Sequence, residues 1–186
     1  MSVSASRLHE KAFVVDGLCH SKLGAPLFAR MRAGGVTAMN WTAVDVELLH
    51  GLDLALQDLV RARNIIDRNP EHLQLGDSLK AIEEAKATGK TAIILGLQSP
   101  KPIDDNQAYI RVLKEMGIRI FQLTYNERCY LGDGCTEPKK SGLSQFGIAA
   151  VHELNRLGIL IDLSHCGWAT TAEAIEVSAK PVAITH

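Results

Sequence analysis

The chain has 186 residues, with 20 basic and 21 acidic side chains, a formal net charge of −1 and 46% hydrophobic residues. That balance excludes the basic footprint of a nucleic-acid binder and the apolar-poor composition of a disordered chain. No run approaches the ~18 apolar residues of a membrane span, and residues 1–11 lack the apolar stretch of a secretory signal.

Strand-like and helix-like patterns alternate along the chain. Residues 12–17 (AFVVDG) are a short apolar run ended by glycine, a first strand. A short helix is expected near 26–33, stopped by Gly34-Gly35, and 36–41 (VTAMNW) reads as the second strand. From about 47 to 67, Leu49, Leu52, Leu56, Leu59 and Ile66 recur at helical steps, and Asn69-Pro70 closes that helix. Asp77 is placed to cap a second helix in the same connection, ending at Thr88-Gly89.

Residues 91–97 (TAIILGL) form the third strand, Asp105 opens a helix to Met116, and 118–125 (IRIFQLTY) form the fourth strand. The loop 126–142 holds Gly132, Gly134 and Gly142 and is long enough to carry function. Ser144 caps a helix to about Leu157, stopped by Gly158, and 159–164 (ILIDLS) are the fifth strand. Thr170 or Thr171 caps a helix to Ala179, and 181–186 (PVAITH) are the sixth strand. No C-x-x-C pair occurs among Cys19, Cys129, Cys135 and Cys166, so reduced thiols and a cytoplasmic setting are expected.

Six apolar strands separated by helical stretches predict an α/β fold with a parallel sheet. An open doubly wound sheet and a (β/α)8 TIM-type barrel both satisfy the pattern. The glycine-rich phosphate turn of the first is missing after the first strand. A chain that closes on a strand without a covering helix also favours the barrel. The expectation is one partial domain over 1–186, six of eight βα units, with unpaired edges that invite self-association.

In such a barrel, chemistry sits at the carboxyl ends of the strands. Those ends carry Asp16 and His20, Gln98, Tyr125-Asn126, Asp162 with His165, and His186. Two successive strands finish on histidine, a rigid way to present imidazole to a divalent metal. Alternation along a strand puts His165 on a face with Leu163 and Ile161, and His186 with Ile184 and Val182. A structural histidine at a strand end is the plainer reading, and spacing alone leaves both open.

Five segments within 123–186 (LTYN, GLSQFG, ELNRLG, IDLSH and PVAITH) together resemble the membrane dipeptidase group, peptidase family M19. Weaker likeness through Val15-Asp16-Gly17, Gly34-Gly35-Val36 and Gly96-Leu97 extends over most of the chain. The resemblance implies a (β/α)8 metallopeptidase that hydrolyses dipeptides at a two-zinc site, with His165 and His186 as the two histidine ligands of one zinc. It also implies departures. The His-x-Asp pair that binds the other metal becomes Leu18 and His20, the bridging glutamate becomes Gln98, and the substrate-contacting histidine becomes Tyr125.

A glutamine carbonyl is a poor bridge between two cations, so one zinc ion is expected rather than two. His20 and Gln98 are candidate further ligands, against plainer roles as a solvated loop residue and a backbone hydrogen-bonder. Tyr125 is expected to touch substrate, or only to pack. Asp16 and Asp162 read as structural, and Cys166 as an inert buried thiol. No single residue is assigned as the catalytic base. The resulting expectation is a zinc-dependent dipeptidase-like hydrolase acting on small dipeptides, without nucleic-acid or membrane partners. The competing one is a catalytically degenerate barrel serving as a binding or assembly subunit.

Overall fold

The structure, a computed structural model, describes residues 4–44, 51–139 and 141–186. The described residues cluster into two compact units, Met1–Trp41 with Arg61–Leu95, and Thr42–Val60 with Gly96–His186.

In the first unit, strand β1 (Val14–Cys19) lies parallel to β2 (Val36–Thr42), with Val14 opposite Val36 and Cys19 opposite Trp41. Pairing starts two residues later than the apolar run, and Phe13 before it stays 52% exposed. A short first helix, α1 (Ala5–Lys11), is held by Ser4, whose side chain accepts from the Arg7 amide. Its polar sequence offers no apolar stripe to announce it. Helix α2 (Ala25–Ala33) joins β1 to β2 and ends at Gly34.

Helix α3 (Leu52–Asp67) follows, and the expected start of this helix near residue 47, with Leu49, lies outside the described residues. A three-residue strand not anticipated from sequence, β3 (Leu73–Leu75), runs parallel to β4 (Thr91–Leu97). Three residues are too few to set up a periodicity. Helix α4 (Leu79–Thr88) joins them, capped by Ser78 rather than Asp77, because the Ser78 hydroxyl accepts from the Ala81 amide. It stops at Gly89 in the left-handed region, as the sequence predicts.

The second unit stacks β5 (Ile118–Gln122), β6 (Leu160–Asp162) and β7 (Val182–Ala183) as parallel neighbours. Helices α5 (Ala108–Glu115), α6 (Gln145–Leu157) and α7 (Trp168–Val177) alternate with them. Phe121, Leu123, Ile110, Leu113 and Leu154 are fully buried. Ser144 caps α6 as expected and Gly158 ends it with φ 66°. Helix α5 begins at Ala108, not Asp105, since a 3-10 turn at Lys101–Ile103 and the Asn106 side chain occupy the approach.

Helix α7 begins at Trp168 with Gly167 at its N-cap, which corrects the expected Thr170 or Thr171 cap. The Thr170 hydroxyl is drawn inward instead, donating to the Asp133 carbonyl and accepting from the Asp133 amide. The strands are shorter than expected at their carboxyl ends: β6 stops at Asp162 and β7 at Ala183. There the ladder gives way to side chains, the Ser164 amide donating to Asp162 and the Thr185 amide to Asp162 and Ser164. Among the described residues, no helix is long and apolar enough to cross a membrane.

Candidate functional site

The carboxyl ends of the second unit's strands converge on two imidazoles. The His165 and His186 rings lie 5.1 Å apart between centroids, inclined at 53°. Neither residue occupies a regular strand, so the face-sharing expected from alternation does not apply. His165 turns out of the chain path with φ 59°, a left-handed conformation that histidine tolerates better than most side chains. Ile184, expected on an apolar layer with His186, is 67% exposed.

Each ring is held from behind. His165 Nδ1 donates to the Asn126 side-chain oxygen at 2.8 Å, and its face stacks on Tyr125, 4.4 Å between centroids and 18° from parallel. The Thr185 hydroxyl donates to Asp162 Oδ2 at 2.6 Å, so it meets His186 Nδ1, 2.9 Å away, as an acceptor. Both imidazoles are therefore Nδ1–H tautomers with the lone pair on Nε2. Burial lowers the His165 pKa below its ordinary value, and His186 adds to that effect while Asp162 opposes it. The neutral ring is the form that ligates metal.

Asp162 is the keystone of this end. It is 2% exposed, its Oδ1 accepts from the Ser164 amide and hydroxyl and the Thr185 amide, and its Oδ2 lies 4.0 Å from His186 Nδ1. Gln98, 7% exposed, brings its side-chain nitrogen to 3.2 Å from His186 Nε2, and its carbonyl accepts from Gln122. Cys166 donates nothing to this arrangement. Burial pushes its thiol up to about 11, and its sulfur rests against the Thr124 hydroxyl.

His165, His186, Gln98 and Tyr125 thus come together, whereas Asp16, Leu18 and His20 belong to the other unit. There Asp16 folds its carboxylate onto the Leu18 amide, and His20 is exposed just past β1. Asn126 and Thr185 had not been singled out as holders of the two rings. Their signal was adjacency to Tyr125 and His186 alone.

Whether these residues suit a metal depends on the donor set. Among the described residues, no three His, Cys, Asp or Glu side chains are grouped to hold an ion. Two imidazoles and an amide remain. Ligands ~2.0–2.1 Å from a tetrahedral zinc stand roughly 3.3 Å from one another. The 3.2 Å between His186 Nε2 and the Gln98 amide matches that separation, and a half-turn of the amide presents its oxygen there. The three donors are neutral, a set that suits a single divalent ion better than two.

The membrane dipeptidase family (peptidase family M19) matches residues 5–186, so the likeness seen strongest over 123–186 reaches nearly the whole chain. Dipeptidase 3 of Mus musculus is 31% identical over 166 residues, which are 84% of this chain and 33% of that protein. Dipeptidase verJ of Clonostachys rogersoniana is 28% identical over 151 residues, covering 80% of this chain and 39% of that one. The chain therefore spans about a third of the length of these curated relatives.

Among solved structures, an amidohydrolase from Pseudomonas aeruginosa superposes with a TM-score of 0.93 at 38% identity, over 99% of this chain and 55% of that one. A metallo peptidase from Rhodobacter sphaeroides, liganded with a phosphinate mimic of the dipeptide L-Ala-D-Ala, shares the fold with a TM-score of 0.80 at 16% identity, over 94% of this chain and 64% of that one. The parallel βα units are those of an α/β fold of the (β/α)8 type.

Proposed function

The chain belongs to the membrane dipeptidase family, peptidase family M19, and on that premise we propose that it is a metal-dependent hydrolase of dipeptides with a single zinc ion on His165 and His186. The observation that carries the reading is the pair of imidazoles, each with Nδ1 engaged by a neighbour and its lone pair left on Nε2. A zinc ion held by His165 and His186 would supply the Lewis acidity for activating water and polarising the peptide carbonyl.

The chain's own residues do the rest. Asn126 and Thr185 fix the ring orientations, and Asp162 anchors Thr185 through its hydroxyl. Gln98 offers its amide oxygen to the third position. Tyr125, stacked on His165, lines a hollow of about 300 Å³ with Asn126 and Ser99, and is the residue to contact substrate. The four reduced cysteines suit a reducing compartment such as the cytoplasm.

Zinc titration by calorimetry tests the reading. Uptake of one ion is expected, lost in both His165→Ala and His186→Ala while circular dichroism stays unchanged. Uptake that persists in both variants would sink it. The Gln98 amide beside His186 Nε2 favours a second reading, a non-catalytic binding subunit in which that contact is an ordinary hydrogen bond. Zinc-independent binding of dipeptides with no turnover selects that alternative.

A further inference from the structure

Gln122 ends β5 and is 0% exposed within the second unit. Its amide nitrogen donates to the Gln98 carbonyl at 2.7 Å and to the Thr124 carbonyl at 2.6 Å. Carbonyl oxygens only accept, so the nitrogen must stand on that side and both of its hydrogens are spent. The amide oxygen of the same side chain is buried without a hydrogen-bond partner. An unpaired buried acceptor is unfavourable, and native interiors hold few of them. Packing does not call for an amide here, since Ile120, Phe121 and Leu123 around it in sequence are apolar and buried. What glutamine supplies, and an apolar side chain would not, is the pair of N–H donors.

The two carbonyls it fastens lead to the two sides of the strand-end site. Gln98 carries the side-chain amide that stands 3.2 Å from His186 Nε2. Thr124 belongs to the framework of the other imidazole: its hydroxyl donates to the His165 carbonyl at 3.2 Å, and the Cys135 amide donates to the same oxygen at 2.8 Å. Those donors hold a histidine whose backbone has φ 59°. One buried side chain therefore registers Gln98 against the framework that carries His165.

We propose that Gln122 is a positioning residue of this site, setting the Gln98 side chain against His186 through its grip on the Gln98 carbonyl. Its bearing on zinc rests on the metal reading of the site, whereas its hold on the Gln98–His186 contact does not. The metal-free protein reads that contact directly, through the nitrogen chemical shift of His186 Nε2. Gln122→Met keeps roughly the length of the side chain, removes both donors and should move that shift. Phe121→Leu, a buried change on the same strand that removes no hydrogen bond, should lower the urea midpoint and leave the shift in place.

Zinc calorimetry supplies the second arm. Gln122→Met is expected to bind zinc about tenfold more weakly, the scale of losing a group that orients a ligand. In a Gln98→Ala background the same substitution should cost less than about twofold, because a residue acting through Gln98 then has nothing left to position. Gln122→Asn keeps the amide but falls one methylene short of reaching both carbonyls. It should lose about threefold, and it carries the same comparison if the Met variant does not fold. A parent protein that takes up no zinc would sink the metal reading and leave the shift comparison to decide this one. An unmoved His186 shift in the Gln122 variants, an equal shift in Phe121→Leu, or a tenfold loss that persists without Gln98 would overturn the proposal.

Discussion

Thr185 commits its hydroxyl hydrogen to Asp162 and so can only accept from His186 Nδ1. Asn126 does the same for His165 through an amide oxygen that has no hydrogen to give. Groups behind a metal-binding histidine set its tautomer and its angle, and their loss typically weakens metal binding about 10–100-fold. Thr185→Val keeps the shape of the side chain and removes the acceptor. Zinc affinity is therefore expected to fall by about tenfold or more in Thr185→Val and to recover in Thr185→Ser. The nitrogen chemical shifts of His186 in the metal-free protein should move from one Nδ1–H tautomer to a mixture. An unchanged tautomer and an unchanged affinity in Thr185→Val would show that Thr185 does not position the ring.

Elements were legible wherever an apolar run met a glycine stop. Strands β4 and β5 and helices α4 and α6 stand where that pattern puts them, with Gly89 and Gly158 at the helix ends. The histidines were legible too, as strand-end residues. Their presentation was not, because it depends on Asp162, Ser164 and Thr185 replacing ladder hydrogen bonds beyond β6 and β7, which no period of two can express. The loop after β5 was equally opaque. Its fold is set by tertiary contacts, with Asp133 gathering Arg128, Thr170 and the Ser141 amide.

Gly147 shows how tightly that loop is pressed against α6. A Cβ there would be driven into the Leu131 carbonyl, a backbone group with no room to yield, whereas one at Gly158 would meet nothing. Inside a helix, glycine to alanine ordinarily gains about 0.5–1 kcal/mol. At Gly147 the clash should reverse the sign and cost about 1–3 kcal/mol, read from urea unfolding. Gly147→Ala that unfolds at higher urea than the parent protein would contradict this packing.

At the scale of the molecule, the last helix and the segment after the last strand each carry exposed apolar side chains. Strand β7 is two residues long and bonds to β6 on one side. Beyond it Ile184 is 67% exposed, and on α7 Trp168 is 80% and Ile175 55% exposed. Parallel edges with exposed apolar residues pair readily with another chain. Fully burying a single isoleucine is worth about 1.5–3 kcal/mol, enough for a few such contacts to drive association at ordinary protein concentrations. Light scattering coupled to size-exclusion chromatography should therefore give a mass above the 20.2 kDa of one chain, rising with concentration. Ile184→Lys places a charge at the edge and should return the mass toward that of one chain, with zinc uptake retained. A concentration-independent mass of one chain in the parent protein would mean that this apolar edge does not recruit a second copy.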